Sequence, residues 1–304
     1  METLLIDIGG SGIKYATLRD DDFPNLQNEG KRSGVGKSLE EVVAAIEELY
    51  RPLRDQIDAI AICACMVLDT KTGYVYSGGS YSGVREVNLC DAVSAACDKK
   101  PVTIDSDGDC CLRAELHYGV LQGCQNAGVF VFGTGIANAF IIDGHILTGH
   151  GCAAGETSFC AAHNVLNPDF PSWASVSGMR SACERLRQRK GMPPGSIDGF
   201  VLFELLRKGD PEAEKILDEM CEESAQQIYN SCLLLSPEKI AIGGGISGEP
   251  ELLRLLREKL QTRFAKIKDI SACKCPELLA AKFRNQANLL GAYARLTESA
   301  VGTR

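Results

Sequence analysis

No CxxC pair occurs in this chain of 304 residues, although it carries fourteen cysteines. Zinc ribbons and thioredoxin-like redox sites need that spacing, so both are excluded. The close pairs that do occur are Cys63 and Cys65, Cys110 and Cys111, and Cys273 and Cys275. Several of these cysteines sit in apolar runs such as IAICACMVL and ISACKC, where a thiol serves as a small core hydrophobe. Basic excess is missing too: 32 Lys and Arg against 40 Asp and Glu leave a net charge of −8. That balance speaks against nucleic acid and anionic membrane as partners. No run approaches the roughly 18 apolar residues of a membrane span, and METLLIDIGG has neither a basic n-region nor a cleavage site. The expectation is a cytoplasmic protein with reduced thiols. Hydrophobic residues at 45% and charged residues at 24% leave no room for long disorder or a stapled mini-scaffold. At roughly 150 residues per domain, the length predicts two lobes, each with its own core.

Glycine is plentiful, at 31 residues, and it falls where strands end. Residues 3–8 (TLLIDI) read as a strand, followed by Gly9-Gly10-Ser11-Gly12. Beyond them Ile13, Tyr15 and Thr17 alternate with Lys14, Ala16 and Leu18, a period of two. These glycines therefore join strand to strand, whereas a dinucleotide fold would place a helix after them. Ser38 and Glu41 form a capping box for a helix with Leu39, Val42, Val43, Ile46 and Leu49 on its buried face. AIAICACMV reads as a buried strand, YVYS as a short one, and 78–83 (GGSYSG) as a loop before a helix over 90–98. PVTIDS is a strand running into a helix from about Gly108. The opening pattern then recurs: GVFVF, the turn Gly133-Thr134-Gly135, and IANAFIID ending in an Asp143-Gly144 hairpin signal. Helices are predicted over 173–190, 198–208 and 211–235, the last capped by Asp210 with Pro211 in its first turn. KIAIGGG, a helix over 251–265, a strand at ISACKC and a helix over 286–298 close the chain. Alternating strands and helices make this α/β, with ligand chemistry at strand ends.

Polyphosphates need backbone N–H donors that approach closely, which favours residues without Cβ. Gly9, Gly10 and Gly12 supply one such turn, Gly133 and Gly135 another; each could also be an ordinary tight hairpin. Asp7 beside the first turn suits magnesium held through water, and Lys14 could neutralise phosphate charge. Gly243-Gly244-Gly245 would let a base or ribose lie flat on the backbone, or would simply turn the chain. Asp107, flanked by Ser106 and Asp109, is placed for general-base work on a sugar hydroxyl, and equally for a helix N-cap. Glu156, in the small-residue stretch GCAAGETSF, could contact a ligand or be a surface glutamate.

Together these motifs resemble the ROK family of bacterial sugar kinases and related regulators, over essentially the whole chain. DIGGSGIK at 7–14 is similar to the phosphate motif DIGGT-x-x-K, with Ser11 in place of threonine; IDSDGD at 104–109 resembles NDAN. FGTGIANAF resembles the second phosphate motif, AGETSF resembles AGEIGH, IAIGGGIS the adenosine-side motif, and NLLGAYA the last helix. The resemblance implies an actin-like ATPase (ribonuclease H-like) fold of two lobes, with mixed sheets flanked by helices and a cleft between them. It implies a small lobe of 1–112 plus 286–304 and a large lobe of 113–285. It further implies ATP and Mg²⁺, a small-molecule sugar, Asp107 as general base, and phosphorylation of a hexose or hexoside, at the 6-hydroxyl. Ser80, Ser106, Asp107 and Glu156 would touch the sugar. Asp7, Gly9, Gly10, Ser11, Gly12, Lys14, Gly133, Thr134, Gly135 and Gly243 to Gly245 would hold the nucleotide and its phosphates. A homodimer is implied as among relatives. Phe159 stands where the family's zinc histidine would be, and Cys160 with His163 do not make a replacement site, so no zinc is expected. The zinc-less branch, including β-glucoside kinases, is the better match, and Trp173 could stack on a sugar or lie in the core. The alternative is a non-catalytic sugar-sensing regulator. Such repressors carry an N-terminal helix-turn-helix segment, for which the phosphate motif starting at Asp7 is expected to leave no room.

Overall fold

The computed structural model describes residues 1–10, 12–162 and 171–301, with side chains as far as residue 298. Ser11 and His163 lie outside the described residues. Two compact units emerge, one of Met1–His117, Thr148–Ala154 and Gln286–Arg304, the other of Tyr118–Leu147 and Gly155–Asn285.

The first unit is built on β1 (Glu2–Gly9), β2 (Gly12–Arg19), β3 (Gln27–Arg32), α1 (Leu39–Tyr50), β4 (Ala59–Ala64), β5 (Val67–Asp69), β6 (Tyr74–Ser77), β7 (Val87–Asn88), α2 (Leu89–Ala96), β8 (Val102–Ser106) and α3 (Asp107–Tyr118). Its main sheet runs β3-β2-β1-β4-β8, with a small second sheet β5-β6-β7. β1 pairs antiparallel with β2 and parallel with β4, and β4 pairs parallel with β8. Six consecutive residues of β4 are buried, as a strand covered on both faces should be. The capping box at Ser38 is present, and Val42, Ala45, Ile46 and Tyr50 of α1 are buried. The polar edge strand β3 (QNEGKR) has no apolar alternation to announce it.

The second unit repeats the same strand topology. It contains β9 (Ala127–Phe132), β10 (Ile136–Ile142), β11 (His145–Ile146), α4 (Trp173–Ser177), α5 (Met179–Arg189), α6 (Gly199–Arg207), α7 (Pro211–Leu235), β12 (Lys239–Gly243), α8 (Pro250–Ala265) and β13 (Glu277–Ala280). Its sheet runs β11-β10-β9-β12-β13, antiparallel, antiparallel, parallel, parallel, as in the first unit. The Asp143-Gly144 hairpin forms with φ of 50° and 77°, the left-handed values such a two-residue turn demands. The chain then returns to the first unit as α9 (Ala287–Val301). Gly291 lets α9 pack directly on α3, since a Cβ there would stand 1.8 Å from the Cys110 carbonyl oxygen.

Two expectations are corrected. The helix expected over 173–190 is two helices, broken at Gly178 with ψ 151°. The break lets the start of α5 seat on the Gly133–Gly135 turn: Met179 N–H donates to Gly133 O at 3.2 Å and Arg180 N–H to Thr134 O at 3.3 Å. No strand forms at ISACKC; pairing with β12 begins at Glu277, after Pro276, which lacks a ladder N–H. Cys273 instead turns its thiol to the Cys232 carbonyl at 3.3 Å. All fourteen cysteines are free thiols and eight are buried, as packing thiols should be. No described helix is long and apolar enough to cross a membrane.

Candidate active site

The candidate residues of the first unit gather at one edge of its sheet. Register places Asp7, Cys63 and Asp105 in one row, and Ile8, Ala64 and Ser106 in the next. With about 4.8 Å between strands, Asp7 and Asp105 stand roughly 10 Å apart, at the carboxyl ends of parallel strands where ligands bind in such folds. Gly9 pairs with Gly12, so β1 and β2 are joined by the shortest of loops. Gly12 is required by the fold: its φ is +132° and a Cβ would stand 2.5 Å from the Arg32 carbonyl oxygen. Gly9 and Gly10 have no such need, their nearest neighbours lying at 3.7 and 3.6 Å. The atom near Gly10 is Ser80 Oγ, which brings the 78–83 loop to the turn. Tyr81 fixes that loop by donating its hydroxyl to Gly9 O at 3.0 Å.

Asp7 is 3% exposed. Its cross-strand partner Lys14 donates to Oδ2 at 3.2 Å, and Asn288 of α9 donates to Oδ1 at 3.3 Å. Lys14 is thus already matched to a carboxylate. Asn288 opens the NLLGAYA stretch, but its contact with Asp7 had no signal in the sequence, because only packing of α9 on β1 brings it there.

At the β8–α3 corner the geometry identifies the helix cap. Ser106 Oγ accepts from Asp109 N–H at 3.1 Å and is the cap, while Asp107 Oδ1 accepts from Gly108 N–H at 3.0 Å. Beneath the corner lies a buried ionic network. Arg113, 8% exposed, donates to the fully buried Asp105 at 2.6 Å and also reaches Glu298 of α9, which pairs with His117 at 2.6 Å. Burial alone would raise the Glu298 pKa, but His117 and Arg113 outweigh it and hold it low. Asp109 is pushed up to about 7, first by burial and then by the neighbouring Asp105 charge, with Arg113 opposing. Burial likewise raises the thiols of Cys63 and Cys111 behind the corner, so these cysteines stay protonated and inert.

In the second unit, Gly133, Thr134 and Gly135 are exposed in the β9–β10 turn, where Gly133 N–H donates to Gly135 O at 3.0 Å. A Cβ on Gly135 would meet nothing within 4 Å. Gly244, by contrast, has φ +91° and presses on Phe132, a Cβ there standing 2.1 Å from its carbonyl oxygen. It therefore holds the Gly243–Gly245 turn against the root of the Gly133–Gly135 turn. Glu156 is exposed, yet surrounding protein desolvates its carboxyl enough to raise its pKa. Asn138 of β10 clamps the loop on both sides of it, donating to Gly155 O and accepting from Thr157 Oγ1. Trp173 is fully buried, donates to Ser224 Oγ at 3.3 Å and packs edge-on against Phe130 and Phe132. It belongs to the core rather than to a sugar-stacking surface. Phe159 is 73% exposed and Cys160 is exposed. Among the described residues no group of three or more His, Cys, Asp or Glu is arranged to hold a metal ion.

This order of glycine turns and carboxylates has counterparts in known proteins. The sequence model of the ROK family matches residues 3–298. The chain belongs to the ROK family. A β-glucoside kinase of Klebsiella pneumoniae is 25% identical to this ROK protein over 262 residues, 86% of this chain and 87% of that one. A solved ROK family protein from Streptococcus pneumoniae, in complex with sucrose, is similar with a TM-score of 0.84 at 23% identity, covering 99% of this chain and 100% of that one. A ROK glucokinase from Streptomyces griseus, in complex with glucose and AMPPNP, gives a TM-score of 0.78 at 22% identity over 96% of this chain and 98% of that one. This ROK protein therefore has the actin-like ATPase fold of ROK kinases.

Proposed function

We propose that this ROK protein is a carbohydrate kinase that transfers the γ-phosphoryl group of ATP to the 6-hydroxyl of a hexose or hexoside, with Asp107 as general base. The observation that carries this reading is the division of labour at the β8–α3 corner. Ser106 caps the helix, so Asp107 is not consumed as the cap. The β-glucoside kinase and the glucokinase that binds glucose and AMPPNP support a sugar acceptor and a nucleotide donor.

The residues fit both groups. Gly9, Gly10, Gly133, Gly135 and Gly245 lack side chains although neither crowding nor a positive φ forbids one. Backbone that no side chain shields is what a polyphosphate requires at those places, although the Gly133 N–H itself is turned to Gly135 O. Asp7 offers a carboxylate to magnesium through water, an ion that takes one or two carboxylates beside phosphate oxygens. When bound, ATP with magnesium supplies the γ-phosphoryl group and most of the charge neutralisation. Asp107 accepts the proton of the attacking hydroxyl, and the positive end of α3 favours its ionised form. Ser80, Ser106 and Glu156 orient the acceptor. Lys14, Thr134 and the backbone donors of Gly12, Gly243 and Gly244 complete the nucleotide contacts, with Ser11 assigned there by its place in the motif.

The test is Asp107→Ala in a coupled ADP-release assay over glucose, fructose, N-acetylmannosamine, cellobiose and other β-glucosides. Sugar-dependent ADP release by the parent, and a loss of about 10²–10⁴ in kcat in the variant with nucleotide binding retained, are expected. Near-normal turnover in the variant removes Asp107 from its role. Sugar binding without any ADP release by the parent favours a sensor.

A further inference from the structure

Beside the first glycine turn, the stretch between β3 and α1 and the 78–83 loop enclose a pocket of about 210 Å³ within the first unit. Gly34, Val35 and Lys37 form one side, Ser80 and Tyr81 another, and Gly10 and Gly12 of the first glycine turn the base. Its volume equals about seven waters of liquid, well short of the 300 Å³ or more of pockets for drug-sized ligands. It suits a substituent and not a nucleotide.

The charge of this pocket is unlike that of the molecule. The chain carries −8, yet among the described residues that line the pocket Lys37 is the one charged side chain and none is a carboxylate. Lys37 is exposed and forms no ion pair among the described residues. Its backbone is held, since Lys37 O accepts from Gly83 N–H at 3.0 Å. It immediately precedes Ser38, the cap of α1, so its ammonium adds to the positive end of a twelve-residue helix. Of the two acids on the first turn of that helix, Glu40 and Glu41, Glu41 is committed to the capping box, accepting from Ser38 N–H at 3.0 Å, and neither lines the pocket. Val35 and the buried Tyr81 give the walls an apolar stretch, and Ser80 joins the pocket to the proposed sugar contacts.

We propose that this pocket receives an anionic group, a carboxylate or phosphate ester, carried by the acceptor outside the ring that is phosphorylated, with Lys37 as its counter-charge. The acceptor class would then be acidic hexosides rather than free hexoses. The assignment rests on the sugar-kinase reading above.

A matched pair of acceptors tests it: phenyl β-D-glucoside and 4-carboxyphenyl β-D-glucoside, each with the same 6-hydroxyl. The parent protein should favour the carboxylated glucoside by about ten-fold in kcat/KM, the scale of one charge-assisted contact. Lys37→Met should abolish that preference and Lys37→Glu reverse it, with kcat/KM for phenyl glucoside and KM for ATP unchanged. Equal use of the pair by the parent, or a preference that survives Lys37→Met, overturns the proposal. A rise in ATP KM in Lys37→Met, alike for both glucosides, overturns it too, by assigning Lys37 to the nucleotide. Should neither glucoside be turned over, the kinase reading fails on its own, and calorimetric binding of the same pair still decides the pocket. Tighter binding of the carboxylate, lost in Lys37→Met, sustains the proposal, and equal binding sinks it.

Discussion

Glycines of one motif differ in what demands them. At Gly12 and Gly244 the backbone is left-handed or sterically closed to a Cβ, so the fold requires glycine. At Gly135 the space is empty, and the absence of a side chain has no intramolecular cause. This contrast gives a prediction at the scale of one methyl group. Gly135→Ala should keep stability within about 0.5 kcal/mol of the parent while raising KM for ATP about ten-fold. Gly244→Ala should cost more than about 2 kcal/mol, since strain at φ > 0 adds to overlap with Phe132. Urea unfolding and nucleotide kinetics on both variants check this, and an undisturbed ATP KM in Gly135→Ala would count against a phosphate role for that turn. The sequence showed that glycines cluster here. It did not show which were steric, because the colliding atoms, such as Arg32 O and Phe132 O, lie on other strands or behind other turns.

Local pairs of residues wrote several elements in advance. The capping box of Ser38 and Glu41, the Asp143-Gly144 hairpin and the Asp210-Pro211 start of α7 each depend on neighbours within a few positions, and each forms. Elements shaped by distant contacts were not legible. Gly178 breaks a helix because α5 must meet a turn far back in the chain, and the last strand waits for Pro276 to pass. The β8–α3 corner shows both kinds of information. Its strand and helix follow from pattern, but Asp109 beside Asp105 and Arg113 is a product of packing. With its folded pKa raised from 3.8 to about 7, the native state binds more protons than the unfolded chain between those values. Stability contributed at this site is therefore highest below about pH 4 and falls as pH rises through about 7. Asp109→Asn should remove that slope while retaining the backbone bond to Ser106, so its stability advantage over the parent should grow from pH 4 to pH 7. Parallel pH curves for the two proteins in chemical denaturation would refute the raised pKa.

Both units are built on one strand order, with a glycine turn joining the central strand to its antiparallel neighbour in each. A molecule with two such turns should be stabilised by nucleotide. At 100 times its Kd, AMPPNP should add about 2.7 kcal/mol of stability, visible as a higher Tm. A sugar that raises Tm where AMPPNP never does would instead support a sensor on the same scaffold.

What the amino-acid order determined by itself was whatever neighbouring residues could enforce: periodicity, caps, turn chemistry, the succession of glycine motifs and the charge balance. Tertiary structure alone decided that Trp173 is core, that Ser106 and not Asp107 is the cap, that Asn288 and Asn138 steady Asp7 and the Glu156 loop, and that Lys37 lines a pocket with no acid among its described lining residues. The reason is physical: burial and polar partnership belong to atoms brought together by packing across long stretches of chain, and no window of sequence contains both partners.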